Sequence, residues 1–132
     1  MPIKIIIDTN FLFVPLQFRL DIFEELNNLL GQHVKPIMLS PTYQELQKLA
    51  ESSSPKMRKQ TMLGLKLSEK CQIVEVERTK DESNDNLILR IAKEWKCPVA
   101  TNDRELREKL RKIGVAVVFL RQKKRLEIDG SV

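Results

Sequence analysis

The chain has 132 residues, of which 42% are hydrophobic and 31% charged, with a formal net charge of +5 and a single histidine. That length suits one domain, residues 1–132, able to bury its own core. No apolar run approaches the roughly 18 residues that cross a bilayer, so no membrane segment is expected, and the start MPIKIII is too short for a signal peptide, so a cytoplasmic protein is expected.

IKIII, Ile3 to Ile7, is an apolar β-branched run without alternation, the pattern of a buried parallel strand. LQFRLDIFEELNNLLG follows as a helix, with Phe18, Ile22, Phe23, Leu26, Leu29 and Leu30 at helical spacing and Gly31 as its C-cap. PIML, Pro36 to Leu39, is a second strand. SPTYQELQKLAE starts a helix with Ser40 as N-cap and Pro41 at the first helical position. SSSP interrupts it, and Lys56 to Leu67 continues as an amphipathic helix with Met57, Met62, Leu63 and Leu65 available for packing. CQIVEV, Cys71 to Val76, alternates weakly as a short strand, and ERTKDESND is a polar loop in which Asp81 and Glu82 are expected to be solvated. NLILRIAKEW is a helix with a stripe of Ile88, Ile91, Ala92 and Trp95. PVAT is a strand. DRELREKLRKIG is a helix carrying Leu106, Leu110 and Ile113, closed by Gly114; VAVVFL is a strand, and RLEID adds an edge strand within a basic end at about 121–132.

Strands alternating with helices predict an α/β fold of three layers, with four or five parallel strands between helices. Cys71 and Cys97 lack the CxxC spacing of a zinc ribbon and are expected to be buried free thiols; a bridge between them would be expected only of a hyperthermophile protein. Between Arg104 and Arg125 nine Lys or Arg face two Glu, which points either to a polyanion partner, most often nucleic acid, or to a solvated basic surface.

Several chemistries are excluded. His33 is the only histidine, and with no GxSxG a Ser-His-Asp triad is unsupported. A histidine-based zinc site lacks ligands. GxxxxGK[ST] and GxGxxG are both missing, which removes the P-loop and the dinucleotide fingerprint. His33 reads as a surface or loop residue. What remains is carboxylates. Ligands of open parallel sheets sit at the carboxyl ends of strands. Asp8 follows the first strand and Asp103 follows PVAT, although each also reads as a turn or cap residue, with Asn102 and Glu105 able to cap the last helix. Asp85 shares a helix face with Ile88 and Ala92, at the buried end of that stripe. Glu45 shares a face with Leu49, which a surface glutamate also does. Four carboxylates on one sheet edge require counter-charge. Mg²⁺ or Mn²⁺ supplies it through hard oxygen ligands and activates water for attack on a phosphodiester.

The four motifs IIIDTN (Asp8), SPTYQEL (Glu45), DNLILRIA (Asp85) and VATNDREL (Asp103), in this order from Ile3 to about Leu126, resemble the PIN domain ribonucleases. The later part, VATNDRELREKLRKIGVAVVFLRQKKRLE, is most similar to archaeal PIN proteins related to eukaryotic ribosomal-RNA-processing factors and less similar to a typical VapC toxin. The resemblance implies a parallel sheet in the order 3-2-1-4-5, a homodimer, and metal-dependent cleavage of single-stranded RNA in RNA processing or as a toxin, with an antitoxin or a ribosome-assembly partner. It implies that Asp8, Glu45, Asp85 and Asp103 ligate Mg²⁺ or Mn²⁺, directly or through water, and that Thr9 and Thr101 order the site. One departure stands out: where relatives often carry two aspartates, this chain has Asp85-Asn86, one negative charge fewer. That departure motivates an alternative, a non-catalytic RNA-binding or ribosome-assembly module on the same fold. A phospho-accepting receiver domain fits poorly, because only one Asp follows the first strand. Candidate RNA contacts are Arg104, Arg107, Arg111, Lys56, Arg58 and Lys59, on helices beside the expected pocket; with few aromatic residues, the expected binding is led by the RNA backbone.

Overall fold

Ile3–Ile7 forms the central strand β1 in the computed structural model, which describes residues 3–13, 21–52, 54–122 and 124–131. A 3-10 turn follows over Thr9–Phe13, then helix α1 (Ile22–Leu30), β2 (Val34–Leu39), α2 (Ser40–Ser52), α3 (Pro55–Ser68) and β3 (Gln72–Val74). The second half runs α4 (Asn84–Trp95), β4 (Val99–Ala100), α5 (Arg104–Lys112), β5 (Val117–Arg121) and β6 (Arg125–Asp129). Phe18 and the expected start of the first helix lie outside the described residues.

The strands form one sheet in the order β3-β2-β1-β4-β5-β6. The first five are parallel, as expected, and β6 extends the sheet as an antiparallel sixth strand paired with β5. A tight connection at Arg121 to Arg125 returns the chain directly, which only antiparallel pairing permits. Leu126 is buried, Arg125 is exposed and Glu127 to Asp129 are half-buried, as suits a strand at the edge of the sheet. Pro36 lies where β2 has only β1 beside it, since pairing with β3 begins at Ile37, so its missing N–H interrupts no ladder shared on both sides.

Side chains alternate across β1. Ile5 and Ile7 join Phe11, Ile22, Leu26 and Leu46 beneath α1, α2 and α3, and Ile6 joins Leu87, Ile88, Ile91, Leu106 and Leu110 beneath α4 and α5. Three layers result, with one core on each sheet face. Cys71 belongs to the first core and Cys97 to the second, so the two thiols are buried, free and separated by the sheet. Burial pushes Cys71 up to about 12 and Cys97 up to about 11. A thiol reagent is therefore expected to label neither cysteine in the native protein at pH 8 and both after denaturation; rapid native labelling would contradict this packing.

Several local expectations change. Met57 and Met62 are exposed, because α3 turns Thr61, Gly64 and Ser68 inward; at Gly64 an added Cβ would stand 3.0 Å from the Phe13 ring, so this face needs small residues for close approach. Trp95 and Ile113 also lie on the surface, beyond the buried ends of their helix stripes. Ser40 does not cap its own helix: its hydroxyl accepts from Val76 N–H at 3.1 Å and approaches Val76 O at 3.3 Å, fastening the β2–α2 junction to the segment after β3. Glu82 is not solvated. It takes Arg90 Nε at 2.9 Å and Nη2 at 3.1 Å, and this pairing holds its carboxyl down at about 2. His33 is exposed as expected.

Candidate active site

β1 and β4 are neighbouring parallel strands, so the residues that leave their carboxyl ends, Asp8 and Thr101, emerge side by side. Asp8 is clamped there. Its Oδ1 accepts from Thr9 N–H at 2.8 Å, and its Oδ2 accepts from the Thr101 hydroxyl at 2.7 Å. That same hydroxyl accepts from Asp103 N–H at 3.1 Å, so Thr101 sets both carboxylate positions at once. Asp103 is the N-cap of α5: its backbone is extended, and its Oδ1 accepts from Leu106 N–H at 3.1 Å. Its Oδ2 takes no hydrogen bond among the described residues. Asp85 sits in the first turn of α4, whose cap is Ser83, and is partly buried.

The charges of Asp85 and Asp103 bear on Asp8, and that of Asp103 on Asp85. Burial raises the Asp8 carboxyl to about 6, against the opposing hydrogen bonds from Thr101 and Thr9, and the charges of Asp85 and Asp103 raise it further. Asp85 is raised chiefly by burial and then by Asp103. Among the described residues no three His, Cys, Asp or Glu side chains converge closely enough to ligate one ion together. The donors present are nevertheless all hard oxygens, with the Lys109 charge acting on Asp85. Thr9 Oγ1, next to Asp8, is buried without a hydrogen-bond partner. A divalent cation that keeps several waters and takes one or two carboxylates directly, as Mg²⁺ does, fits this set.

Glu45 stands apart from that group. It is exposed on α2 and lines a polar cleft with Gln44, Lys48, Arg78 and Asn84, the last being the residue before Asp85. Asn86 is exposed, and its N–H is taken by the Ser83 cap. The candidate RNA contacts divide. Arg104 is exposed and pairs with Glu108 in the next turn, at 3.7 Å; Lys56, Arg58 and Lys59 are exposed on α3. Arg111 is committed internally, to Asp129 at 3.1 Å and the Val115 carbonyl at 3.3 Å, which staples α5 to β6. Arg121 and Arg125 both pair with Glu127, so part of the basic end is neutralised within β5 and β6.

One asparagine, Asn10, escaped the sequence reading, and another, Asn102, has a different role from the helix cap expected of it. Asn10 Oδ1 accepts from Asn102 N–H at 3.0 Å and lies 3.5 Å from the Thr101 hydroxyl, tying the turn after β1 to the loop after β4. Asn102 does not cap α5; its Oδ1 accepts from Leu120 N–H at 2.9 Å, fixing the loop to β5. The available signal was a carboxamide two residues after Asp8 and another one before Asp103, both in short turns after strands.

Comparison with known proteins identifies the family to which the fold belongs. A family model described as a PIN like domain matches residues 5–123. The chain is 35% identical over 130 residues to ribonuclease VapC4 of Methanocaldococcus jannaschii, covering 98% of each. It is 30% identical over 112 residues to the rRNA-processing protein fcf1 of Schizosaccharomyces pombe, covering 85% of this chain and 55% of that one. The solved structure of the PIN domain endonuclease Utp24 superposes with a TM-score of 0.82 at 27% identity, covering 99% of this chain and 94% of that chain. The chain belongs to the PIN-domain ribonuclease family.

Proposed function

We propose that this protein is a metal-dependent endoribonuclease that cuts single-stranded RNA by attack of an activated water on a phosphodiester. The observation that carries the reading is Asp8, part-buried at the end of β1 and clamped by Thr9 N–H and the Thr101 hydroxyl, its carboxyl raised to about 6 with the charges of Asp85 and Asp103 adding to the rise. A part-buried carboxyl pushed up by desolvation and by two neighbouring carboxylates is unfavourable to the fold, and it sits where parallel sheets bind ligands. Asp8, Asp85 and Asp103 would hold Mg²⁺ or Mn²⁺, with Glu45 acting from the adjoining cleft through water. The ion, when bound, supplies Lewis acidity and counter-charge for phosphodiester hydrolysis. Thr101 and the Thr9 N–H orient the Asp8 carboxylate, the Thr9 hydroxyl adds an oxygen donor, and the α5 cap keeps Asp103 pointing at the same edge. Arg104 and the Lys56–Lys59 segment would meet the RNA backbone, with affinity that falls steeply as salt is added.

The purified protein is expected to cleave unstructured RNA with Mn²⁺ or Mg²⁺ and to lose all cleavage in EDTA, regaining it when the ion is restored. Cleavage that persists unchanged in EDTA would refute the metal-dependent mechanism. One observation favours a second reading, a non-catalytic RNA-binding module: no three acids converge on a single point among the described residues. Calorimetry separates the two, since that module would show no heat of Mn²⁺ binding at millimolar concentration.

A further inference from the structure

Beside Asp103 lies a small cleft walled by Asn102, Asp103, Arg104, Arg107, Phe119 and Leu120. Its floor is an aromatic ring with a cation over it: Arg107 Cζ is 4.0 Å from the centroid of Phe119. Asp129 Oδ2 approaches Arg107 Nε at 3.9 Å, and the same carboxylate is itself fixed by Arg111 at 3.1 Å. The guanidinium is therefore held from two sides before any ligand arrives, yet the Arg107 side chain remains 27% exposed. Phe119 is the aromatic residue of this cleft, whereas Phe11 is buried and Phe13 and Phe23 pack against the core.

We propose that the Arg107–Phe119 stack is a platform for one nucleobase of the RNA strand, the base adjoining the phosphate held at the Asp8–Asp103 edge. A planar guanidinium fixed over a ring offers its outer face to a base, and such stacking tolerates any base because every base has a π-face. The pair is preorganised, so little side-chain order is lost on binding. Arg104, exposed at the cleft mouth, meets the neighbouring phosphate. This proposal rests on the reading of an RNA strand at that edge, but it is tested without cleavage.

Single-stranded RNA carrying 2-aminopurine at successive positions is titrated with the full chain in EDTA at low salt. Fluorescence should be quenched at one or two adjacent positions. Phe119→Leu, which keeps apolar bulk and loses the π-face, and Arg107→Gln, which loses the cation, should each remove that quenching and weaken binding about tenfold. An oligonucleotide abasic at the quenched position should bind the parent about tenfold more weakly and bind Phe119→Leu no worse than the intact strand does. Circular dichroism checks that both variants fold. No position-specific quenching, or quenching that survives both folded variants, overturns the platform. Local quenching in a protein that never cuts RNA upholds the platform and overturns the nuclease reading instead.

Discussion

Asp8→Asn is expected to lower RNA cleavage at least about 100-fold and, at the same time, to make the metal-free protein more stable at pH 7. The two effects share a cause. Folding carries this carboxyl from an ordinary 3.8 to about 6, chiefly by burial. Below about pH 3 the group is protonated in both folded and unfolded chains, and it contributes no difference. As pH rises from about 3 to 6, the unfolded chain ionises first while the folded chain holds its proton, so stability falls. Above pH 6 the folded chain carries the full penalty, about 2–3 kcal/mol at one pH unit per 1.36 kcal/mol. Asparagine removes it without disrupting the hydrogen bonds. Its Oδ1 still accepts from Thr9 N–H, and Thr101 can turn to accept from the new amide, its proton passing to Asn10 Oδ1, 3.5 Å away. The measurement is thermal unfolding in EDTA at pH 3 and pH 7. The variant should gain several degrees at pH 7 and close to none at pH 3. Added Mn²⁺ should raise the parent's midpoint and leave the variant's unchanged, because a ligand stabilises only the state that binds it. A variant that cuts at the parental rate would show that the Asp8 charge has no part in cleavage, and one less stable at pH 7 that this charge does not burden the fold.

The legible parts of this site were those set by local rules. Asp8 and Asp103 follow apolar runs, so they fall at strand ends once the runs are read as strands, and β1 and β4 are neighbours in the sheet. Asp85 was placed on the inner edge of α4 by helical periodicity, and its partial burial agrees. The same rule applied to Glu45 failed to bring it inward. Leu49, its supposed face partner, is only partly buried, and the fully buried residue is its neighbour Leu46. Caps were read correctly where the bond is three residues long, as at the first helix's Gly31 end, and wrongly where a distant group competes. Ser40 is drawn to Val76, 36 residues on, and Asn102 to Leu120, 18 residues on. Arg111 is a candidate RNA contact by its place on a helix beside the expected pocket, and is structural because the unanticipated antiparallel pairing of β6 brings Asp129 to it. Non-local hydrogen bonds and ion pairs of this kind have no periodic signature, so only the folded chain reveals them.

Asp103 allows the last separation, between a residue that caps a helix and one that performs chemistry. Its Oδ1 receives Leu106 N–H at 3.1 Å, and Oδ2 is left for the site. Asparagine caps a helix as well as aspartate, whereas alanine at this position costs about 1 kcal/mol. Asp103→Asn should therefore fold with parental stability or slightly better, since its charge also raises Asp8 and Asp85. Asp103→Ala should unfold several degrees earlier. Cleavage should fall at least about 100-fold in both, because removing a metal-binding carboxylate costs no less than the 10–100-fold typical of residues that merely orient one. Unfolding midpoints and single-turnover rates, measured on the same preparations, give the comparison. If Asp103→Asn retained cleavage while Asp103→Ala lost both stability and cleavage, the cap alone would account for this residue, and the ion would have to be held by Asp8 and Asp85 without it.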